Sequence, residues 1–225
     1  MIIAVDGPAG AGKGTICSIL AKQLNLTNYC SGEIYRMCAY ILTHPELGIW
    51  ITNPIQIIEP INAAKIRYIW NKETNTSEVW LGDRNIKPLL HQNNISKQTS
   101  LIASQYPEEI TTIVQLIGNQ IKGDIICEGR NVATHLFPKA DYKFYVDADP
   151  GIRAERRLED LRNKGDKEIT LTQVLTEILE RDRNDMNRDY APLIRVDEAI
   201  LIDTSNQLID QSVAQIIDYI NSNKQ

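Results

Sequence analysis

Lys13 and Thr15 close a glycine-rich run, Gly7-Pro8-Ala9-Gly10-Ala11-Gly12-Lys13-Gly14-Thr15, whose residue types could grip a phosphate. Glycines let the main chain curl until successive N–H groups point inward at an anion. An ammonium at Lys13 would reach the outer phosphates, and the Thr15 hydroxyl is placed to hold Mg²⁺. The hydroxyl arrives one residue later than in the general pattern, because Gly14 follows Lys13. The apolar Ile2-Ile3-Ala4-Val5 precedes the run and Ile16-Cys17-Ser18-Ile19-Leu20-Ala21 follows it. Strand, turn and helix in that order put the anion at a helix N-terminus, where the dipole adds to the pull of the amides. The alternative is a glycine-rich turn with no ligand, and the strand and helix on either side argue against it.

A second set of chemically useful residues lies far along the chain. Arg153, Arg156, Arg157, Arg162, Arg181, Arg183 and Arg188 crowd one segment of a protein whose formal net charge is −5. That balance disfavours a nucleic-acid binder with a basic surface, yet leaves room for a locally positive cleft. Leu171, Val174, Leu175 and Ile178 form an apolar helix face. Steps of three and four from Ile178 carry that face to Arg181, Asp185 and Arg188. Charges are costly to bury unpaired, so the ionic end should overhang a wet cleft or a charged ligand. Exposed intrahelical ion pairs are the competing explanation. Ala191-Pro192 then ends the helix.

These residues need a frame. At 225 residues, with 43% hydrophobic and 24% charged content, the chain can bury a substantial core. Besides the first strand, four short runs read as buried parallel strands: around Asn28-Tyr29-Cys30, then Asp124–Glu128, Tyr142–Val146 and Ala199–Ile202. Helical patterns separate them, which is the signature of an α/β sheet. Ile16, Ile19, Leu20 and Leu24 form one stripe after the loop, and Ile209, Val213, Ile216, Ile217 and Ile220 another near the end. Within 61–95, Ile66–Trp70 and Glu78–Leu81 flank the polar Asn71–Ser77, and Gly82-Asp83-Arg84 marks a further turn. An antiparallel insert is expected there. The charged segment 152–190 should fold as two helices broken at Gly165.

Cysteines at 17, 30, 38 and 127 show neither C-x-x-C nor zinc-like spacing, so reduced thiols in the cytoplasm are expected. The first strand begins at the N-terminus, leaving no room for a signal peptide, and no apolar run reaches membrane-spanning length.

Taken together, the motifs resemble those of the bacterial cytidylate kinases, which transfer the γ-phosphoryl of ATP to CMP or dCMP. The resemblance spans nearly the whole chain. It includes the glycine loop, Ser31-Gly32-Glu33-Ile34-Tyr35-Arg36, Glu128-Gly129-Arg130-Asn131, Glu180-Arg181-Asp182 through Asn187-Arg188, and Ala191-Pro192-Leu193. The β-rich insert sits where that family enlarges its monophosphate-binding region. The implied fold is a P-loop α/β core of five parallel strands flanked by helices, comprising 1–30, 101–151 and 191–225. A monophosphate-binding segment, 31–100, would carry the β-rich insert, and 152–190 would form a helical lid.

The resemblance also implies roles. Gly7, Gly10, Ala11, Gly12, Lys13, Gly14 and Thr15 would hold ATP, with Thr15 and Glu128 near Mg²⁺. Ser31, Arg36, Arg130 and Arg188 would hold the acceptor phosphate, Arg181 and Asp185 the ribose, and Ser100 and Asn131 the base. Guanidinium groups suit phosphate oxygens and a carboxylate suits vicinal hydroxyls. Arg153 and Arg157 are expected to reach the migrating phosphoryl when the lid closes, with Arg156 a further lid candidate. A monomer acting on small nucleotides, with no nucleic-acid or membrane partner, is the implied setting.

Departures from the family pattern fall mostly on the base. Asn131 replaces an aspartate that accepts from the cytosine amino group, and an amide can accept or donate. No arginine follows Pro107 in Glu108-Glu109-Ile110-Thr111-Thr112, where the family carries one. Glu128 replaces an aspartate near the metal, and Cys30 one before Ser31-Gly32. CMP is therefore expected as best acceptor with narrowed discrimination over UMP. A GTPase-like reading rests on Asn163-Lys164-Gly165-Asp166, but that tetrapeptide follows a charged helical stretch instead of a buried strand.

Overall fold

The computed structural model describes residues 1–44, 66–163 and 165–224. Part of the expected insert (61–65) and Lys164 of the GTPase-like tetrapeptide lie outside the described residues.

The run Ile2–Asp6 forms β1, and its nearly unbroken apolar character follows from being covered on both faces. The glycine loop leads into α1 (Lys13–Gln23), then β2 (Thr27–Cys30) and α2 (Ser31–Thr43). After the insert come α3 (Lys87–Leu90), α4 (Asn93–Gln105), α5 (Pro107–Asn119) and β6 (Ile125–Gly129). A wide π-helical turn at Val132–Leu136 precedes β7 (Tyr142–Asp147). Helices α6 (Pro150–Asn163) and α7 (Leu171–Met186), strand β8 (Ile200–Asp203) and α8 (Ile209–Ser222) complete the chain.

The five expected strands form one parallel sheet in the order β2-β6-β1-β7-β8. β1 lies at its centre, with Asp6 beside Gly129 on one side and Tyr145 on the other. Ligands in such sheets bind beyond the carboxyl ends of the strands, and the glycine loop leaves the carboxyl end of β1. Ile16 and Leu20 of α1 pack with Val213, Ile216 and Ile220 of α8 on one face of the sheet. Ile34 and Met37 of α2 pack with Ile113, Val114 and Ile117 of α5 on the other.

The insert is a separate antiparallel sheet of β3 (Arg67–Asn71), β4 (Thr76–Leu81) and β5 (Arg84–Asn85). Its hairpin is tighter than expected: Asn71 pairs with Thr76, so the connection is only Lys72–Asn75. Asn71 Oδ1 accepts from the amides of Glu73 and Thr74, and Asn75 takes φ 54° to close the turn. The insert is fastened to the core. The Tyr68 hydroxyl accepts from the Cys30 amide at 3.1 Å and donates to the Asn28 carbonyl at 2.9 Å. Asn75 Nδ2 donates to Ser18 Oγ of α1 at 2.6 Å.

Helices α6 and α7 pair around Ala154, Leu161, Val174 and Ile178, and Gly165 breaks them with φ 100°. Thr170 and Gln173 form a reciprocal cap at the start of α7. Leu171, expected on the buried stripe, is 41% exposed because it stands at the first turn, ahead of the packed core. α7 also ends sooner than expected, at Met186, well before Ala191-Pro192. The Asn187 side chain and amide both donate to the Arg183 carbonyl and close the helix there. Arg188 therefore comes from the turn after the helix. All four cysteines are free. Among the described residues, no helix is long and apolar enough to cross a membrane.

Candidate active site

The glycine loop is held against its neighbours too tightly for other residues. A Cβ on Gly7, whose φ is 146°, would lie 1.9 Å from the Val146 carbonyl oxygen. Gly10 and Gly12 also take positive φ, of 79° and 88°, and α1 starts at once with Lys13. Lys13 is 6% exposed and its Nζ donates to the Pro8 carbonyl at 2.6 Å, folding the side chain back across the loop. Burial, followed by the charge of Arg130, lowers the Lys13 ammonium to about 7, with Glu128 and Asp6 opposing. Such a lysine regains its charge when an anion arrives. Gly14 and Thr15 are exposed at the mouth of the loop, Ala11 is buried, and a Cβ at Gly14 would sit 3.3 Å from Glu128 Oε1.

Across from the loop, the ionic end of α7 meets the end of β6. Arg130 Nε donates to Asp185 Oδ2 at 3.0 Å, Arg188 donates to Oδ1, and Arg181 Nε lies 3.9 Å from Oδ2. Asp185 is 2% exposed. Burial pushes its carboxyl up, but Arg130, Arg188 and Arg181 together hold it below the usual carboxylate range. One carboxylate does not neutralise these cations. Burial and then Arg130 lower Arg181 to about 10, Asp185 opposes, and Arg36 and Arg188 add to the lowering. Arg181 Nε and Arg188 Nε are both buried without a hydrogen-bond partner. A cluster of converging guanidiniums with unmatched donors is a receptor for a multiply charged anion.

Of the remaining expected residues, Ser31, Arg36 and Asn131 fall beside this cluster, and no contact among the described residues brings Ser100 to it. Ser31 starts α2, and its Oγ donates to the Glu128 carbonyl at 2.8 Å, tying that helix N-terminus to β6. Arg36 lies one turn on, its guanidinium 3.6 Å from where a Cβ on Gly32 would stand. Asn131 is 1% exposed; its Nδ2 donates to the Tyr35 hydroxyl at 3.1 Å and its Oδ1 is buried without a partner. Ser100 is half-buried on α4, and its carbonyl accepts from the Ser104 hydroxyl.

The arginines expected to act from a lid separate into three situations. Arg153 is 3% exposed and donates to Ala148 O at 2.9 Å, Ala9 O at 3.0 Å and Asp182 Oδ2 at 2.6 Å. It thereby joins the glycine loop to α7. Arg156 turns the other way and donates to the Thr204 carbonyl at 2.6 Å, while the Thr204 hydroxyl donates to Ala11 O at 3.1 Å. Arg157, half-buried on the same helix, has no hydrogen-bond or ion-pair partner among the described residues.

Among the described residues, no three His, Cys, Asp or Glu side chains converge as a metal cage. Mg²⁺ retains water and takes one or two protein ligands beside substrate phosphates. The exposed Thr15 hydroxyl and the Glu128 carboxylate over Gly14 fit such a site.

Sequence reasoning overlooked Asp6 and Asp182. Asp6, 2% exposed, accepts from the Val132 and Ala133 amides, both at 2.8 Å. Burial raises its carboxyl, and those two amides oppose the rise. A charged residue closing an apolar strand, directly before Gly7, was the available signal. Asp182 lies four positions after Ile178 on the very stripe that led to Asp185.

Comparison with known proteins shows the family. The family model described as Cytidylate kinase matches residues 3–222. The cytidylate kinase of Clostridioides difficile (strain 630) is 34% identical over 221 residues, covering 98% of each chain. A bifunctional pantoate ligase/cytidylate kinase from Trichormus variabilis is 32% identical over 219 residues, covering 97% of this chain and 41% of that longer one. Among solved structures, an uncharacterized protein from Eubacterium ventriosum superposes with a TM-score of 0.50 at 15% identity, covering 99% of both chains. That last likeness concerns the fold alone.

Proposed function

We propose, for a chain that belongs to the cytidylate kinase family and is an ATP-dependent nucleoside monophosphate kinase, that it transfers the γ-phosphoryl group of ATP to CMP or dCMP. ADP and CDP or dCDP leave. The observation that carries this reading is the pairing of two anion receptors. The glycine loop with Lys13 faces the Arg130–Asp185–Arg188 cluster, whose neighbouring Arg181 and Arg188 Nε donors are unmatched.

In this mechanism an oxygen of the acceptor phosphate attacks the γ-phosphorus as the bond to the β–γ bridging oxygen breaks. The transition state is loose, so the protein's work is alignment and neutralisation of oxygen charge. Loop amides around Gly10, Gly12 and Gly14 would hold the β-phosphate, and Lys13 would span β and γ oxygens. Ser31, Arg36, Arg130 and Arg188 would fix the acceptor phosphate, with Arg181 and Asp185 on the ribose and Ser100 and Asn131 on the base. Thr15 and Glu128 would hold Mg²⁺, which supplies charge neutralisation on the phosphates when bound. No strong base is required, because the acceptor phosphate is already anionic near neutral pH. Arg157 is the lid residue assigned to the migrating group, because Arg153 and Arg156 are engaged by main-chain carbonyls. Lid closure excludes water, which would otherwise compete as acceptor.

The same reading divides the chain into a P-loop core (1–30, 101–151, 191–225), an acceptor-binding segment (31–100) and a lid (152–190). It makes the protein a cytoplasmic monomer with small nucleotides as partners. Coupled ADP release with CMP, dCMP, UMP and AMP tests it. CMP or dCMP should give the highest rate, and a higher rate with UMP or AMP would overturn the assignment.

A further inference from the structure

Only one end of the Asn131 amide is satisfied. Nδ2 donates to the Tyr35 hydroxyl at 3.1 Å, and Oδ1 is buried with no partner. A buried acceptor left unmade is costly, so in a binding site it marks the place for a donor that comes with the ligand. The Tyr35 hydroxyl in turn meets the Thr111 hydroxyl at 3.0 Å. Tyr35 comes from α2, Thr111 from α5 and Asn131 from the end of β6, and Thr111 is 4% exposed, so bulk water does not compete. Burial pushes the Tyr35 phenol up, against its bonds to Thr111 and Asn131 and the nearby Arg188 charge. The phenol therefore always carries a proton to give, and it lies within the field of the acceptor-site arginines.

Hydroxyls donate and accept, and a carboxamide carries one group of each kind. The three side chains can therefore be joined in two directions. In one, Asn131 Nδ2 donates to Tyr35, which donates to Thr111, and Oδ1 is left for an amino group on the ligand. In the other, Thr111 donates to Tyr35, which donates to Oδ1 of an amide turned half a revolution, and Nδ2 is left for a carbonyl. Each direction makes the same two bonds. A carboxylate at this position can only accept, from the Tyr35 hydroxyl through one oxygen and from an amino group on the ligand through the other.

We propose that Asn131, Tyr35 and Thr111 form a reversible hydrogen-bond relay that reads either an amino or a carbonyl group on the acceptor base. The site then takes uridine as well as cytidine monophosphate, and Thr111 is a positioning residue that sets the balance. This deepens the CMP reading above and rests on it.

The test is kcat/KM for CMP and UMP with ATP saturating, in the full-length protein and in Asn131→Asp and Thr111→Val. The unmodified protein should separate CMP from UMP by less than about 100-fold, whereas a site committed to one hydrogen-bond pattern reaches roughly 10⁴. Asn131→Asp removes the donating direction and should raise the CMP/UMP ratio at least about 100-fold. Thr111→Val, nearly the same shape, strands the Tyr35 proton in the CMP-reading direction only, and should lower the ratio about tenfold. A Thr111 that merely packed would depress both substrates together. CMP turnover with UMP rejected beyond the hundredfold limit, or a ratio unmoved by both substitutions, overturns the relay and leaves the CMP reading standing. Turnover of neither substrate overturns the CMP reading and the relay with it.

Discussion

Arg153 donates to Asp182 across 2.6 Å, and the same guanidinium reaches the Ala9 carbonyl of the glycine loop at 3.0 Å. One buried ion pair thus joins α6 and α7 to the glycine loop. Removing one partner of such a pair leaves an unmatched buried charge, which costs about 3–5 kcal/mol. Asp182→Ala should lower stability by that amount, read from the urea midpoint. Arg153→Met with Asp182→Leu should recover most of the loss. Single and double variants equally destabilised would contradict the pairing.

Arg157 stands one helical turn beyond Arg153 without a partner among the described residues. If it meets the migrating phosphoryl group, Arg157→Ala should lower kcat about 10³-fold with both substrates saturating, the lower end of what such an arginine contributes. Arg162→Ala, exposed on the same helix, should leave kcat unchanged. Unaltered turnover in Arg157→Ala would remove the residue from the mechanism.

Lys13 titrates near 7 in the free protein because of burial and the charge of Arg130. Nucleotide phosphates should restore its charge, so binding should take up a proton at pH 8 and none through this group at pH 6. Calorimetry of ATP-analogue binding in buffers of different ionisation enthalpy reads the uptake directly. Binding heats at pH 8 that do not depend on the buffer would refute it. In the absence of nucleotide the sign for folding is the reverse of a favourable partner's. The unfolded lysine, near 10.4, binds more protons than the folded one between about 7 and 10.4. The Lys13 contribution to stability therefore rises with pH through that window.

Asp185 shows the opposite dependence. Its carboxyl is held low by Arg130, Arg188 and Arg181 against the pull of burial. It should stabilise the fold fully above the ordinary carboxylate pKa of about 3.9, and lose that contribution as pH falls through its own lower value. Asp185→Asn should be less stable than the unmodified protein at pH 7, by about 3 kcal/mol or more. The gap should shrink in acid, and a gap constant from pH 7 to pH 2 would count against the arrangement.

Much of this architecture was legible before any coordinates. Short apolar runs announced the parallel strands because a doubly covered sheet excludes polar residues. The β-prone runs Ile66–Trp70 and Glu78–Leu81 on either side of a polar bridge announced the insert, and the glycine spacing announced the loop. The Ile178-to-Asp185 stripe was readable because three- and four-residue steps lie within one helix. What escaped depends on partners far apart in sequence. Asp182 means little without Arg153, and the place of Thr111 needs Tyr35 and Asn131 from two other elements. The early end of α7 was hidden as well, because a proline shows where a helix cannot continue and not where an asparagine side chain has already stopped it.

Asp6 spans the short gap between the strand that launches the glycine loop and the turn that follows Arg130 and Asn131. The glycine loop and the turn after Asn131 are thus joined through one buried carboxylate, so their separation is fixed inside the scaffold. Lengthening the tether by one methylene would move the loop relative to that turn while leaving the residues of both unaltered. The spacing of these two segments is thus inherited from the spine of the sheet.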